Sequence, residues 1–160
     1  MRVTLAAVGK LKQGSERDMF EHYWLRIEAA GRPVAINPVR LEEIPESRAA
    51  SPELRKSDEA QRLLKLSEDA DARIVLDERG KSLTSEELAG WIRTRRDDGL
   101  RHAAFLIGGP DGHGPAALSA ATMRLSLSAL TLPHGLARIL LAEQIYRAAT
   151  IIAGHPYHRA

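Results

Sequence analysis

A single α/β domain with a mainly parallel sheet is the fold class this 160-residue chain predicts. Three observations predict it. Short apolar runs alternate with stretches of helical period from one end to the other. Two runs, RIVLD at 73–77 and AAFLI at 103–107, are continuous rather than alternating, as parallel strands covered on both faces are. Glycine, proline or a capping sequence marks the joints.

Arg2 to Val8, rich in Val, Leu and Ala and stopped at Gly9, reads as a buried first strand. Ser15 to Ala30 follows as a helix, because Met19, Phe20, Tyr23, Trp24 and Ile27 recur at three- and four-residue spacing before Gly31 and Pro33. Val34 to Ile44 predicts a strand in which Pro38 forces a bulge or an edge position. The polar stretch 42–56 holds Pro45 and Pro52 and reads as a mobile loop entering a helix that runs to Ala70. RIVLD is a central strand, Thr84 and Glu87 form a capping box opening a helix to about Gly99, and AAFLI is the next buried strand. Leu125 to Leu130 is predicted as a further strand and Leu136 to Ala153 as a long final helix, apolar around much of its circumference. Glu143 and Arg147 in that helix stand four apart in the order that favours an ion pair.

Composition excludes several classes. The chain has no cysteine, so disulfides, thiolate zinc sites and a cysteine nucleophile are out. Its 23 Lys+Arg against 21 Asp+Glu give a formal charge of +2, too weak a field to announce a nucleic-acid partner by itself. Arg48, Arg55, Lys56 and Arg62 cluster around the 42–56 stretch, diluted by Glu42, Glu43, Glu46 and Glu53; Arg93, Arg95, Arg96 and Arg101 are the other candidates for a local basic patch. No run approaches the roughly 18 apolar residues of a membrane span, which points to the cytoplasm and to no membrane partner. His102, His113 and His134 lack ligand spacing and read as polar surface residues, so no metal is expected.

In open α/β sheets ligands bind beyond the carboxyl ends of the strands, which directs attention to three loops. After AAFLI comes GGPDGHGP, Gly108 to Pro115, with four glycines in seven residues. Such a turn brings backbone N–H groups close to a ligand, yet matches neither the phosphate-loop nor the dinucleotide fingerprint. LSLSALTLPHG, 125–135, presents backbone polar groups beside apolar side chains, a setting suited to an adenine ring. The tail HPYHR packs His155, Tyr157, His158 and Arg159 together, groups able to stack on a base or pair with phosphate.

Taken together, LIGGPDGHG at 106–114, SLSALTLPHGLARILLAEQIYRA at 126–148 and HPYHR at 155–159 resemble the RlmH (YbeA) family, and the resemblance runs from the LxAVGK opening to the last residue. It implies a SPOUT-class 23S rRNA pseudouridine N3-methyltransferase: one Rossmann-like domain over residues 1–160, a trefoil knot in the C-terminal part, and a homodimer. It further implies an S-adenosyl-L-methionine pocket made of Leu76, Gly109, Ser128, Ala129, Leu130, Thr131, Leu132 and Pro133, mostly through backbone groups. The implied substrate is large-subunit rRNA within the ribosome. N3 of pseudouridine carries a proton at neutral pH, so the enzyme must position nucleophile against methyl and accept that proton. The tail is the candidate for the second task, with His158 as base, Tyr157 and Arg159 orienting the uracil carbonyls, and His155 as the alternative base. A SPOUT enzyme for tRNA would share the pocket but need a different tail. A non-catalytic nucleotide-binding module would need only the glycine loop.

Overall fold

The computed structural model describes residues 1–159. Its elements are β1 (Arg2–Val8), α1 (Ser15–Gly31), a 3-10 turn (Arg32–Val34), β2 (Val39–Ile44), α2 (Pro52–Leu66), β3 (Ala72–Ser82), α3 (Ser85–Asp97), β4 (His102–Ile107), α4 (Pro115–Ser119), β5 (Met123–Ser126) and α5 (His134–Ala153). The strands form one sheet in the order β2-β1-β4-β3-β5, parallel throughout.

Successive strand residues point to opposite faces, and the two faces carry separate cores. Val3, Leu5, Ala7, Ile74, Phe105 and Leu125 meet Phe20 and Ile27 of α1, Leu88 and Ile92 of α3, and Leu141, Ile145 and Ala149 of α5. Ala6, Val8, Val75, Ala104 and Leu106 meet Leu63 of α2, with Leu118 of α4 packed alongside. That double burial is why RIVLD and AAFLI are continuous apolar runs. Helix ends follow local chemistry. Ser51 accepts from Leu54 N at 3.2 Å ahead of Pro52, and Thr84 with Glu87 makes the reciprocal box that the sequence predicts. Gly135 lets α5 cross α1 closely, since a Cβ there would run into the Glu16 carboxylate.

Four expectations need correction. The second strand starts at Val39 rather than Val34, because Arg32–Val34 forms a 3-10 turn closed by Ala35 in the left-handed region, ahead of a cis Asn37–Pro38 bond; β2 is an edge strand, one of the two alternatives expected, but Pro38 stands just ahead of it and not within it. The helix expected to reach Ala70 ends at Leu66, where the Ser67 hydroxyl donates to Leu63 O at 2.9 Å. The strand expected over Leu125–Leu130 ends at Ser126. Beyond it the serines bond locally: Ser126 Oγ donates to Ser128 O at 3.0 Å and Ser128 Oγ accepts from Leu130 N at 2.9 Å, replacing the ladder with a turn. Nor are His102 and His113 surface residues. His102 is buried at the start of β4, with Thr4 Oγ1 2.9 Å from its Nε2, and His113 is packed into the wall described next.

Candidate active site

A cleft of about 520 Å³ opens at the carboxyl ends of β3, β4 and β5, within the usual range for a small-molecule site. One wall is the glycine turn, Gly108 to His113, which reverses through a Gly109–Gly112 bridge with Gly112 at φ 86°. The facing wall is the loop from Leu127 to Leu132, ending where Pro133 caps α5. The floor comes from Leu76 and from a departure in β3: the strand pairs with β5 up to Leu76↔Leu125, then shifts and pairs again at Lys81↔Leu125. The intervening Asp77, Glu78 and Arg79 bow into the cleft.

Of the cofactor residues expected from the sequence, Leu76, Gly109, Ser128, Leu130, Thr131 and Leu132 line this cleft. Ala129 and Pro133 belong to the same loop without being among the lining residues. The sequence reading did not assign Asp77, Arg79, Lys56, Asp111, Arg124 or His113 to this pocket, and all of them line it. Arg55 donates from Nε to Asp111 Oδ2 at 2.7 Å and holds that carboxyl below the usual carboxylate range. His113 has both ring nitrogens buried without a hydrogen-bond partner. Burial pushes its pKa down, while the Leu106 carbonyl, Asp77 and the Leu76 carbonyl pull partly the other way. The wall therefore carries a neutral imidazole. Its position inside GGPDGHGP was the available signal.

The tail is held elsewhere. Tyr157 donates its phenol hydrogen to Glu143 Oε1 at 3.0 Å, and the Arg147 guanidinium lies 4.8 Å from the centre of the Tyr157 ring. Glu143 also accepts from Arg147 at 2.5 Å, the ion pair that the spacing predicts, and from Gln144 at 2.6 Å. His158 is fixed on both sides: Arg147 Nη1 lies 3.3 Å from Nδ1, and Nε2 lies 2.8 Å from Glu86 Oε1. A guanidinium can only donate, so Nδ1 is the acceptor and Nε2 carries the hydrogen given to Glu86. His155 and Arg159 are exposed. Among the described residues, none of the tail lines the cleft. Within one chain the two halves of the predicted site are apart: Glu143 stands nine residues into α5 from its cleft end, roughly 14 Å along the axis at the helical rise.

A glycine turn and a backbone-rich loop closing the carboxyl edge of a parallel sheet define a nucleotide-type cofactor cleft in an α/β enzyme. The family model described as "Predicted SPOUT methyltransferase" matches residues 1–158. The "Ribosomal RNA large subunit methyltransferase H" of Brucella anthropi is 52% identical over 160 residues, covering 100% of both chains, and that of Brucella ovis is 49% identical over 169 residues with the same coverage. The chain belongs to the SPOUT methyltransferase family and, within it, to the large-subunit methyltransferase H group. It is a methyltransferase whose methyl donor is S-adenosylmethionine. Solved structures share the fold. A probable methylase family protein of Haemophilus influenzae matches with TM-score 0.55 at 13% identity, covering 99% of this chain and 70% of that one. A probable methyltransferase of Bordetella pertussis matches with TM-score 0.53 at 13% identity, covering 92% and 95%.

Proposed function

We propose that this chain methylates N3 of a pseudouridine in 23S rRNA of the large subunit, on assembled ribosomes in the cytoplasm. In this reading it works as a homodimer whose C-terminal part threads a trefoil knot. The observation that carries the reading is the cleft itself: two of the three sequence strings that mark the family, the glycine turn and the SALTLP loop, face each other across it.

The residues present fit S-adenosylmethionine. Leu76, Gly109 and the run from Ser128 to Pro133 would hold it, with Gly109 leaving its backbone open to the cleft because Glu59 and Val8 occupy the space a Cβ would need. When bound, the cofactor supplies an electrophilic methyl on a sulfonium. The protein's share is to place N3 in line with that methyl and to take up the N3 proton. Tyr157, whose pKa is pushed up to about 12 by burial and by its bond to Glu143, serves as a hydrogen-bond donor and not as a base. His158 becomes a base when Nδ1 is released from Arg147; His155 is the alternative, and Arg159, exposed beside them, orients a uracil carbonyl.

Because the tail lies outside its own chain's cleft, a second copy is the natural source of the tail for each site. Met19 of α1 and Leu136 and Leu140 of α5, large apolar side chains left exposed on neighbouring helices, give that copy a surface to cover.

The test is methyl transfer from labelled S-adenosylmethionine to unmodified ribosomes, naked large-subunit RNA and bulk tRNA, with the product nucleoside identified by mass. N3-methylpseudouridine, chiefly from ribosomes, is expected. Label in tRNA would replace the substrate assignment. A His158→Ala variant that retains full transfer would remove His158 as base and leave His155.

A further inference from the structure

Two side chains on one face of α2 each touch the glycine turn and the segment 45–51. Arg55 spans both: Nε and Nη2 reach the Asp111 carboxylate at 2.7 and 3.4 Å, and Nη1 donates to Ala49 O at 3.2 Å. Glu59, four residues on, does the same with its two oxygens. Oε1 accepts from Ser47 N at 3.0 Å, while Oε2, buried without a partner, lies against Gly109, 2.6 Å from where a Cβ would stand. Glu59 is only 2% exposed, so its carboxylate cannot turn to water. Gly114 packs against the Lys56 carbonyl of the same helix, and Arg62 donates to Pro45 O at 2.9 Å. Between the two pinned residues Ser47 and Ala49 stands Arg48, exposed and positively charged.

A carboxylate oxygen left unpaired in the interior costs free energy unless a donor reaches it in some state of the protein. Gly109 of the cofactor turn packs against that oxygen. A shift of Gly109 when the cleft fills therefore acts on Glu59, and through its other oxygen on Ser47; a shift of Asp111 acts on Arg55 and through it on Ala49. We propose that Arg55 and Glu59 are positioning residues that lock segment 45–51 to the glycine turn, so that cofactor occupancy sets the position of Arg48 as an RNA phosphate contact. Coupling of this kind is reciprocal: bound RNA tightens the cofactor by the same factor. The inference rests on the assignment of the cleft to S-adenosylmethionine and of the acceptor to RNA.

The test follows backbone amide exchange across 45–51 in the full chain as S-adenosylmethionine is titrated, beside the binding isotherm and the melting curve. In wild type, saturation slows exchange at Ser47 and Ala49 by about tenfold, an ordinary size for coupled sites, and in Asp111→Asn and Arg55→Met by less than about twofold. A merely structural role would speed exchange equally with and without cofactor and leave the ratio as in wild type, which would overturn the proposal. Binding with no response at 45–51 in wild type would overturn it too, while leaving the cofactor assignment intact; absence of any isotherm would remove that assignment and this inference together. Arg48→Ala is expected to weaken ribosome binding with an unchanged cofactor isotherm, and ribosome binding equal to wild type would remove Arg48 as the contact.

Discussion

Tyr157 and Glu143 join the C-terminal tail to the middle of α5, the phenol donating to a buried carboxylate at 3.0 Å. Burial first, and then this bond, push the Tyr157 pKa up to about 12 from an ordinary 10.0. The sign follows from linkage: between those values the unfolded tyrosine has lost its proton and the folded one has kept it, so this residue's contribution to stability is lost as pH rises through that window. Spectrophotometric titration should show a tyrosine ionisation near 12, and Tyr157→Phe should abolish that late step. The substitution should cost about 0.5–1.5 kcal/mol of stability, because Arg147 and Gln144 still satisfy the carboxylate.

Arg138, 1% exposed, donates to Glu43 Oε2 at 2.5 Å and to the carbonyls of Val8 and Gly9 at 3.3 and 3.0 Å, tying α5 to the ends of β1 and β2. Removing one partner strands a buried charge. Glu43→Ala is expected to destabilise by about 3–5 kcal/mol in urea melts, less whatever water reaches the vacated space. Arg138→Met, which takes the charge away as well, should cost less than Arg138→Ala.

His113 gives the cleft an acid sensitivity. Its folded pKa lies below the ordinary 6.5 because burial disfavours the imidazolium. As pH falls below 6.5 the unfolded chain takes up the proton first, so stability falls with pH until the folded value is reached. Histidine NMR should show His113 titrating below the ordinary value of 6.5, and His113→Leu should flatten the acid limb of the stability profile.

Gly109→Ala puts a methyl 2.6 Å from Glu59 Oε2 and 3.0 Å from Val8 Cγ1. Both neighbours are buried, so the turn must shift, at about 1–3 kcal/mol by the usual cost of overpacking. Calorimetry should find weaker S-adenosylmethionine binding with a smaller loss in melting temperature. Gly112→Ala, which meets no atom within 4 Å but needs φ 86°, tests backbone strain separately.

Local pattern set much of this protein: the continuous runs of β3 and β4, the Thr84–Glu87 box, and the two loops that wall the cleft. Each is legible because it depends on neighbours in sequence. Burial on both sheet faces demands unbroken apolar runs, a cap needs its partner three residues on, and a turn needs glycine. The family, too, was legible in three strings. What tertiary structure decided depends on partners far apart in the chain. The bow of β3 at 77–80 exists because β5 pairs with it twice. Glu59 looks like any helical surface glutamate until packing buries it between Ser47 and Gly109. The tail composition announced hydrogen bonding, yet only the fold chose Glu86, Glu143 and Arg147 as its partners. Hydrogen bonds and close contacts between distant segments carry no periodic signature, and their selection waits for the chain to close on itself.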